Sequence, residues 1–176
     1  MPAIDIRPAV VEDAGLILRF ITELAEYERA AHEVVATEPD IRALIAGAGP
    51  SRALVCSVDG VEAGFAVYFF NYSTWQGRKG LYLEDLYVSP AHRGVGAGRA
   101  LLQQLARIAL AQGCGRFEWS VLDWNEPAHR FYASIGAWPM KEWVRYRLAG
   151  PALVEFAGAA PGPQGRSTPP EMPNDS

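Results

Sequence analysis

Arg93, Gly94, Gly96 and Gly98 stand between an apolar run, Leu81 to Val88, and a segment in which Leu101, Leu102, Leu105, Ile108 and Ala109 recur at three- and four-residue spacing. The run has the aromatic and apolar content of a buried strand, and Ser89-Pro90 stops it because proline donates no hydrogen bond to a ladder. The later spacing is the apolar stripe of an amphipathic helix lying on a sheet. A glycine tract at such a strand-to-helix junction can hold phosphate. The first helical turn leaves N–H groups unpaired, the macrodipole adds partial positive charge, and glycine lets a ligand approach the backbone. Arg93 adds a charged donor beside those amides. Spacing then narrows the ligand. A dinucleotide-type G-x-G-x-x-G beginning at Gly94 needs glycine at position 99, where Arg99 stands, and no lysine follows the glycines as a nucleotide P-loop requires. By itself the tract fits a ligand-free helix start equally well.

The elements that must position this tract follow from the rest of the chain. Ile4 to Arg7 reads as a first strand closed by Pro8, and Glu12 to Arg29 as a helix on the period of Ile17, Phe20, Ile21, Leu24 and Ala25. Thr37 with Asp40 three residues on marks a second helix start, ended by Gly47. Arg52 to Val58 and Val61 to Phe70 are apolar runs joined by Asp59-Gly60, a two-residue hairpin signal. The polar stretch Asn71 to Gly80 reads as a loop before the central strand. After the central helix, Phe117 to Leu122 reads as a strand, and Asn125 as the N-cap of a helix reaching Ile135 with Gly136 behind it. Val144 to Leu148 reads as a last strand. The order β-α-α-β-β-β-α-β-α-β implies an α/β fold with a mixed sheet and helices on both faces. The domain is expected over residues 1–150, followed by a Pro/Gly-rich tail over 151–176 that lacks order from about residue 158.

Composition removes several function classes. With 176 residues the chain is one domain, and a net charge of −4 leaves no basic face for nucleic acid. No apolar run approaches the roughly 20 residues of a membrane span, and the N-terminus lacks a signal pattern, so a cytoplasmic protein is expected. Cys56 and Cys114 stand far apart, without C-x-x-C or a histidine at ligand spacing, so neither metal nor disulfide is implied. His32, His92 and His129 sit in no recognisable catalytic arrangement, with His92 expected to be solvated.

Arg93, Gly96 and Gly98 fit R-x-x-G-x-G, which resembles the coenzyme A pyrophosphate loop of the GNAT superfamily of N-acyltransferases. The element order is similar to the GNAT fold over residues 4–149, which implies a mostly antiparallel central sheet. Three further stretches resemble the diamine (spermidine/spermine) and thialysine acetyltransferase branch: L-A-E-Y-E at Leu24 to Glu28, L-Y-L-E-D-L-Y-V at Leu81 to Val88, and W-N-E-P-x-x-x-F-Y-x-x-x-G-A at Trp124 to Ala137. The resemblance implies acetyl-CoA as acyl donor and no metal. Its cofactor contacts would be Leu86, Tyr87 and Val88 on the strand, Arg93, Gly94, Val95, Gly96, Ala97, Gly98 and Arg99 in the loop, and Asn125, Glu126, Pro127, Ala128 and Tyr132 beyond. The branch also implies a homodimer.

Acetyl transfer to an amine has three requirements. A primary aminium, of pKa about 10.4, must lose a proton before it can attack. Glu84 is the candidate base, through water, since a carboxylate is weakly basic unless burial raises it. The departing thiolate needs a proton donor, and Tyr132, two helical turns after Asn125, matches the family tyrosine beside the cofactor sulfur. The carbonyl oxygen gains charge and needs N–H donors, for which the backbone of Leu86 to Val88 is the candidate where two strands splay apart. By resemblance, Tyr27, Glu28, Glu84, Glu118, Trp119, Ser120 and Glu142 line the amine site, where several carboxylates suit a cationic small molecule. Trp75 would add a cation–π wall. Ser73 departs from the acidic residue the diamine enzymes carry before that tryptophan, which disfavours a long polyamine. Acetylation of a protein amine, and a CoA-binding module without turnover, are the alternatives. The pairing of Glu84 with Tyr132 speaks against the second, since a module that only binds needs neither.

Overall fold

The computed structural model describes residues 1–159, which form two compact units, Met1–His129 and a second beginning at Arg130. The first unit is built on one five-stranded sheet in the order β1-β2-β3-β4-β5. Its strands are β1 (Ile4–Pro8), β2 (Arg52–Val58), β3 (Val61–Ser73), β4 (Arg78–Val88) and β5 (Phe117–Trp119). The first three junctions are antiparallel, and β5 lies parallel to β4. A mixed, mostly antiparallel sheet is therefore the frame, as expected.

Period-2 alternation on β2 divides the core between two faces. Ala53 and Val55 join Phe65, Val67 and Tyr87 under helix α1 (Ala14–Tyr27) and helix α2 (Glu38–Ile45), where Ile17, Phe20 and Ile41 are buried. Phe20 stacks on Phe65 with ring centroids 6.0 Å apart and meets Tyr87 at 5.9 Å. Leu54 and Cys56 point the other way, and helix α3 (Ala97–Ala111) covers that side with Leu101, Leu102 and Leu105 buried. Each such fully buried side chain contributes about 1.5–3 kcal/mol.

Local signals behave as their chemistry requires. Thr37 N donates to Asp40 Oδ2 at 2.8 Å at the start of α2. Asp59 and Gly60 both take positive φ, 50° and 79°, in the β2–β3 turn. Asp13, buried ahead of α1, accepts two hydrogen bonds from Arg7 at 2.6 and 2.9 Å and one from Val10 N at 2.8 Å. The Arg7 hydrogen bond is the main reason that its carboxyl is held below the usual carboxylate range.

Several expectations need correction. Asn71 to Gly80 is not a loop: β3 runs through Ser73 and β4 starts at Arg78, leaving only residues 74–77 as the turn. Polar side chains in hairpin arms disguised the strands, and Ser73 itself is buried, with its Oγ accepting Gln76 N at 3.2 Å. The strand expected over Phe117 to Leu122 ends at Trp119. Within the second unit, Val144 to Leu148 is not a strand. Its alternation is that of a strand, but a strand also needs a ladder, and Val144 and Tyr146 are 74% and 94% exposed. Gly150–Phe156, where the Pro/Gly-rich tail is expected to begin and for which no element is expected, forms a short helix with Pro151 in its first turn. The tail expected to lack order falls, from residue 160, outside the described residues.

Candidate active site

The register between β3 and β4 shapes the site. Val67 pairs with Asp85 and the next residue, Tyr68, with Leu83, so Glu84 is an extra residue, a β-bulge. The bulge changes which face each side chain takes. Val67 and Phe69 share the α1 face by alternation; Phe69 pairs with Tyr82 and Val67 with Asp85. Tyr82 and Asp85 therefore share one face although three residues apart, and Glu84, two after Tyr82, joins them. Two adjacent carboxylates project on the side of the sheet that carries α1.

At the same level β5 leaves the sheet. Its pairing with β4 stops at Leu83↔Trp119, whereas β4 continues to Val88 paired with β3. Beyond Leu83 one edge of β4 is thus open. The Tyr87 carbonyl faces β3, where a Cβ on Gly64 would overlap it, and Ser89 N donates to Ala63 O at 2.8 Å on that same edge. A residue's N–H and C=O leave a strand on one edge, so Leu86 and Val88 direct theirs to the open side. Of the three expected amides, those of Leu86 and Val88 are placed to meet a ligand. Tyr87 belongs to the sheet and the core, with its hydroxyl donating to Glu23 Oε2 at 2.9 Å.

The loop after β4 enters α3 with Gly94 at φ 78° and Gly96, the N-cap, at φ 99°. No side chain caps this helix, and a Cβ at Gly94 would meet nothing within 4 Å. The first-turn amides of Ala97, Gly98 and Arg99 therefore end in a cradle open to an anion, which fits a pyrophosphate. Val95, 40% exposed, stands at its rim.

Arg93 is placed differently from its expected role. Its Nε donates to Val88 O at 2.9 Å, and its guanidinium carbon lies 5.1 Å from the Tyr27 ring centroid and 5.6 Å from that of Tyr87. Tyr27, the last residue of α1, donates its hydroxyl to Asn125 Oδ1 at 3.2 Å and packs beside Trp124 at 6.1 Å. Asn125 Oδ1 also accepts Ala128 N at 3.3 Å, the N-cap bond expected ahead of helix α4 (Glu126–Ser134). Arg93, Tyr27 and Asn125 thus form one connected set beside the open edge of β4.

The carboxylates gather at the end of α1. Burial pushes Asp85 up to about 6, with the nearby charges of Glu84 and Glu28 adding to the effect. Burial also raises Glu28. Asp85 was missed by sequence reading. Its signal was present, an acidic residue beside Glu84, but strict alternation places neighbours on opposite faces, and only the bulge unites them.

On β5, Glu118 pairs with Arg116 at 3.0 Å and Trp119 packs on Phe117 at 4.9 Å; just past the strand, Ser120 Oγ lies 2.8 Å from Tyr82 Oη. Trp75 stands in the β3–β4 turn, 89% exposed. Tyr132 and Glu142 belong to the second unit, where the Tyr132 ring lies 5.6 Å from that of Phe131. His92 is not simply solvated, because its Nδ1 lies 3.0 Å from Ser89 Oγ. Among the described residues no group of His, Cys, Asp and Glu is arranged to hold a metal ion, and no helix is long and apolar enough to cross a membrane.

Residues 19–137 match the acetyltransferase (GNAT) family. The chain is 39% identical over 170 residues to the thialysine N-epsilon-acetyltransferase of Mus musculus, covering 90% of this chain and 99% of that one. It is 29% identical to the L-ornithine N5-acetyltransferase of Arabidopsis thaliana, covering 84% and 85%. Among solved structures, an integron cassette protein from the mobile metagenome of V. cholerae superposes with a TM-score of 0.74 at 26% identity, over 89% of this chain and 98% of that one.

Proposed function

The chain belongs to the GNAT acetyltransferase family, and from that premise we propose that it moves an acetyl group from acetyl-CoA to the primary amine of a small aminoalkyl molecule. The supporting observation is the bulge at Glu84. It projects Glu84 and Asp85 on the face that carries α1, near Glu28, where β4 loses its β5 neighbour. Relatives named for thialysine and ornithine, both amino acids with a side-chain amine, support the substrate class.

Acetyl-CoA supplies a thioester carbonyl when bound. The amides of Gly94 to Arg99 hold its pyrophosphate, and the open-edge N–H groups of Leu86 and Val88 receive the carbonyl oxygen. Glu28 and Asp85 attract the cationic substrate, and Glu84 takes the aminium proton through water. Asp85, with its raised pKa, is a stronger base than an ordinary carboxylate and shares that task. Tyr132 keeps the role suggested by its place in the W-N-E-P segment, giving a proton to the departing sulfur. Attack is direct. Cys56 is fully buried, and burial raises its thiol, which makes it a poor nucleophile.

Thiol release from acetyl-CoA, followed with thialysine, ornithine, lysine, putrescine, spermidine and a lysine peptide, tests the proposal. Turnover of the small amino-acid amines ahead of spermidine and the peptide is expected. Turnover of the peptide alone would overturn it.

A further inference from the structure

Arg93 opens the glycine tract, and its type and position suit a phosphate contact, yet its side chain also makes contacts away from those amides. The Nε–H is donated to Val88 O, on the edge of β4 that β5 leaves uncovered. The guanidinium lies within cation–π distance of both Tyr27 and Tyr87. Tyr87 is held in the core by Glu23 and Phe20. Tyr27 is 39% exposed, ends α1, and reaches Asn125 through its hydroxyl. One planar cation therefore joins a fixed tyrosine of the sheet to a tyrosine at a helix end, and joins both to the strand that the loop leaves. Lysine cannot reproduce this, because an ammonium lacks the flat face and the fork of donors.

The residues held this way sit next to the carboxylates. Glu28 follows Tyr27 directly, and Arg29, at φ 62°, turns the chain away behind it. We propose that Arg93 is a positioning residue for the amine side: it holds Tyr27, and with it Glu28, against β4. This rests on the reading of Tyr27 and Glu28 as amine-site residues. A phosphate ligand and a positioning residue respond differently to the same substitutions.

The test compares Arg93→Lys and Arg93→Met with the unaltered protein in three measurements: acetyl-CoA Kd by calorimetry, amine KM and kcat by thiol release, and hydrogen exchange over residues 24–30 and 97–111. Positioning predicts that both variants raise the amine KM about tenfold, to the same extent, and speed exchange over 24–30 alone, while acetyl-CoA Kd moves less than about twofold. Tyr27→Leu combined with Arg93→Met is expected to raise KM by less than the product of their separate effects, because the two share one contact. A loss of acetyl-CoA affinity in Arg93→Met that Arg93→Lys restores, with the amine KM unchanged, would overturn the proposal in favour of a phosphate ligand. Unchanged exchange over 24–30 would overturn it whatever the substrate. Faster exchange there in a protein whose unaltered form turns over no amine would keep the contact as the holder of Tyr27 and reject the amine reading instead.

Discussion

From Gly94 to Gly98 the candidate site is built from backbone, whereas around Glu28, Glu84 and Asp85 it is built from side chains. The loop offers amides at an uncapped helix end, held open by Gly96 at φ 99°, and almost any side chain between the glycines would serve. The carboxylate side depends on identity and on register: one residue more or fewer in β4 would separate Glu84 from Asp85. A backbone cradle suits a donor with an invariant pyrophosphate. A side-chain cluster, by contrast, can be altered by a single substitution.

The comparison can be sharpened first at Tyr132, proposed above as the proton donor to the departing sulfur. Tyr132→Phe is expected to lower kcat about 10²–10⁴-fold, the usual contribution of a positioned acid, with acetyl-CoA Kd and amine KM close to unchanged. A comparable fall in acetyl-CoA affinity would move Tyr132 into the cofactor half.

Asp85→Asn comes next, with kcat/KM for the amine falling on the order of 10²-fold. In the unaltered protein kcat/KM should rise with pH through about 6 as Asp85 ionises, and that limb should disappear in the variant. The sign for stability is opposite. The folded pKa lies above the unfolded value, so the folded protein binds the proton more tightly, and Asp85 lowers stability as pH rises from about 4 to about 6. Thermal melts should show Asp85→Asn above the unaltered protein near pH 7 and converging near pH 4. A variant less stable at both values would contradict the burial argument.

Asp13→Asn touches neither half and has the smallest effect on activity. It breaks a half-buried pair with Arg7, and a loss of roughly 1.5–3 kcal/mol is expected near neutral pH. Here the folded pKa is lowered, so the contribution is present above the unfolded pKa of Asp13 and disappears as pH falls through the folded one. Denaturant melts across that range measure it, with kcat per folded molecule unchanged.

The same division explains what was legible in the sequence. The cradle is contiguous, and Pro90, the glycines and the leucine stripe each declare it through local rules. Asp59-Gly60, Thr37 with Asp40, and Asn125 declare their turn and helix starts for the same reason. The bulge at Glu84 is a relation between β3 and β4, invisible in either strand, so strict alternation does not bring Asp85 to the face of Glu84. Arg93 reads as a charged donor within R-x-x-G-x-G, because its partner Tyr27, at the end of α1, is distant in sequence. Val144 to Leu148 shows the limit of alternation, a pattern that names a face but supplies no neighbouring strand.

The division itself is tested most directly by measuring both affinities in two variants, Gly96→Ala and Glu28→Gln. A Cβ at the positive φ of Gly96 costs about 1–2 kcal/mol, which the free loop relieves by leaving the binding geometry, so Gly96→Ala should weaken acetyl-CoA about tenfold and leave the amine KM in place. Glu28→Gln should raise the amine KM by about the same factor and leave acetyl-CoA Kd in place. If each substitution moves both affinities together, the two halves are one site and the account is wrong.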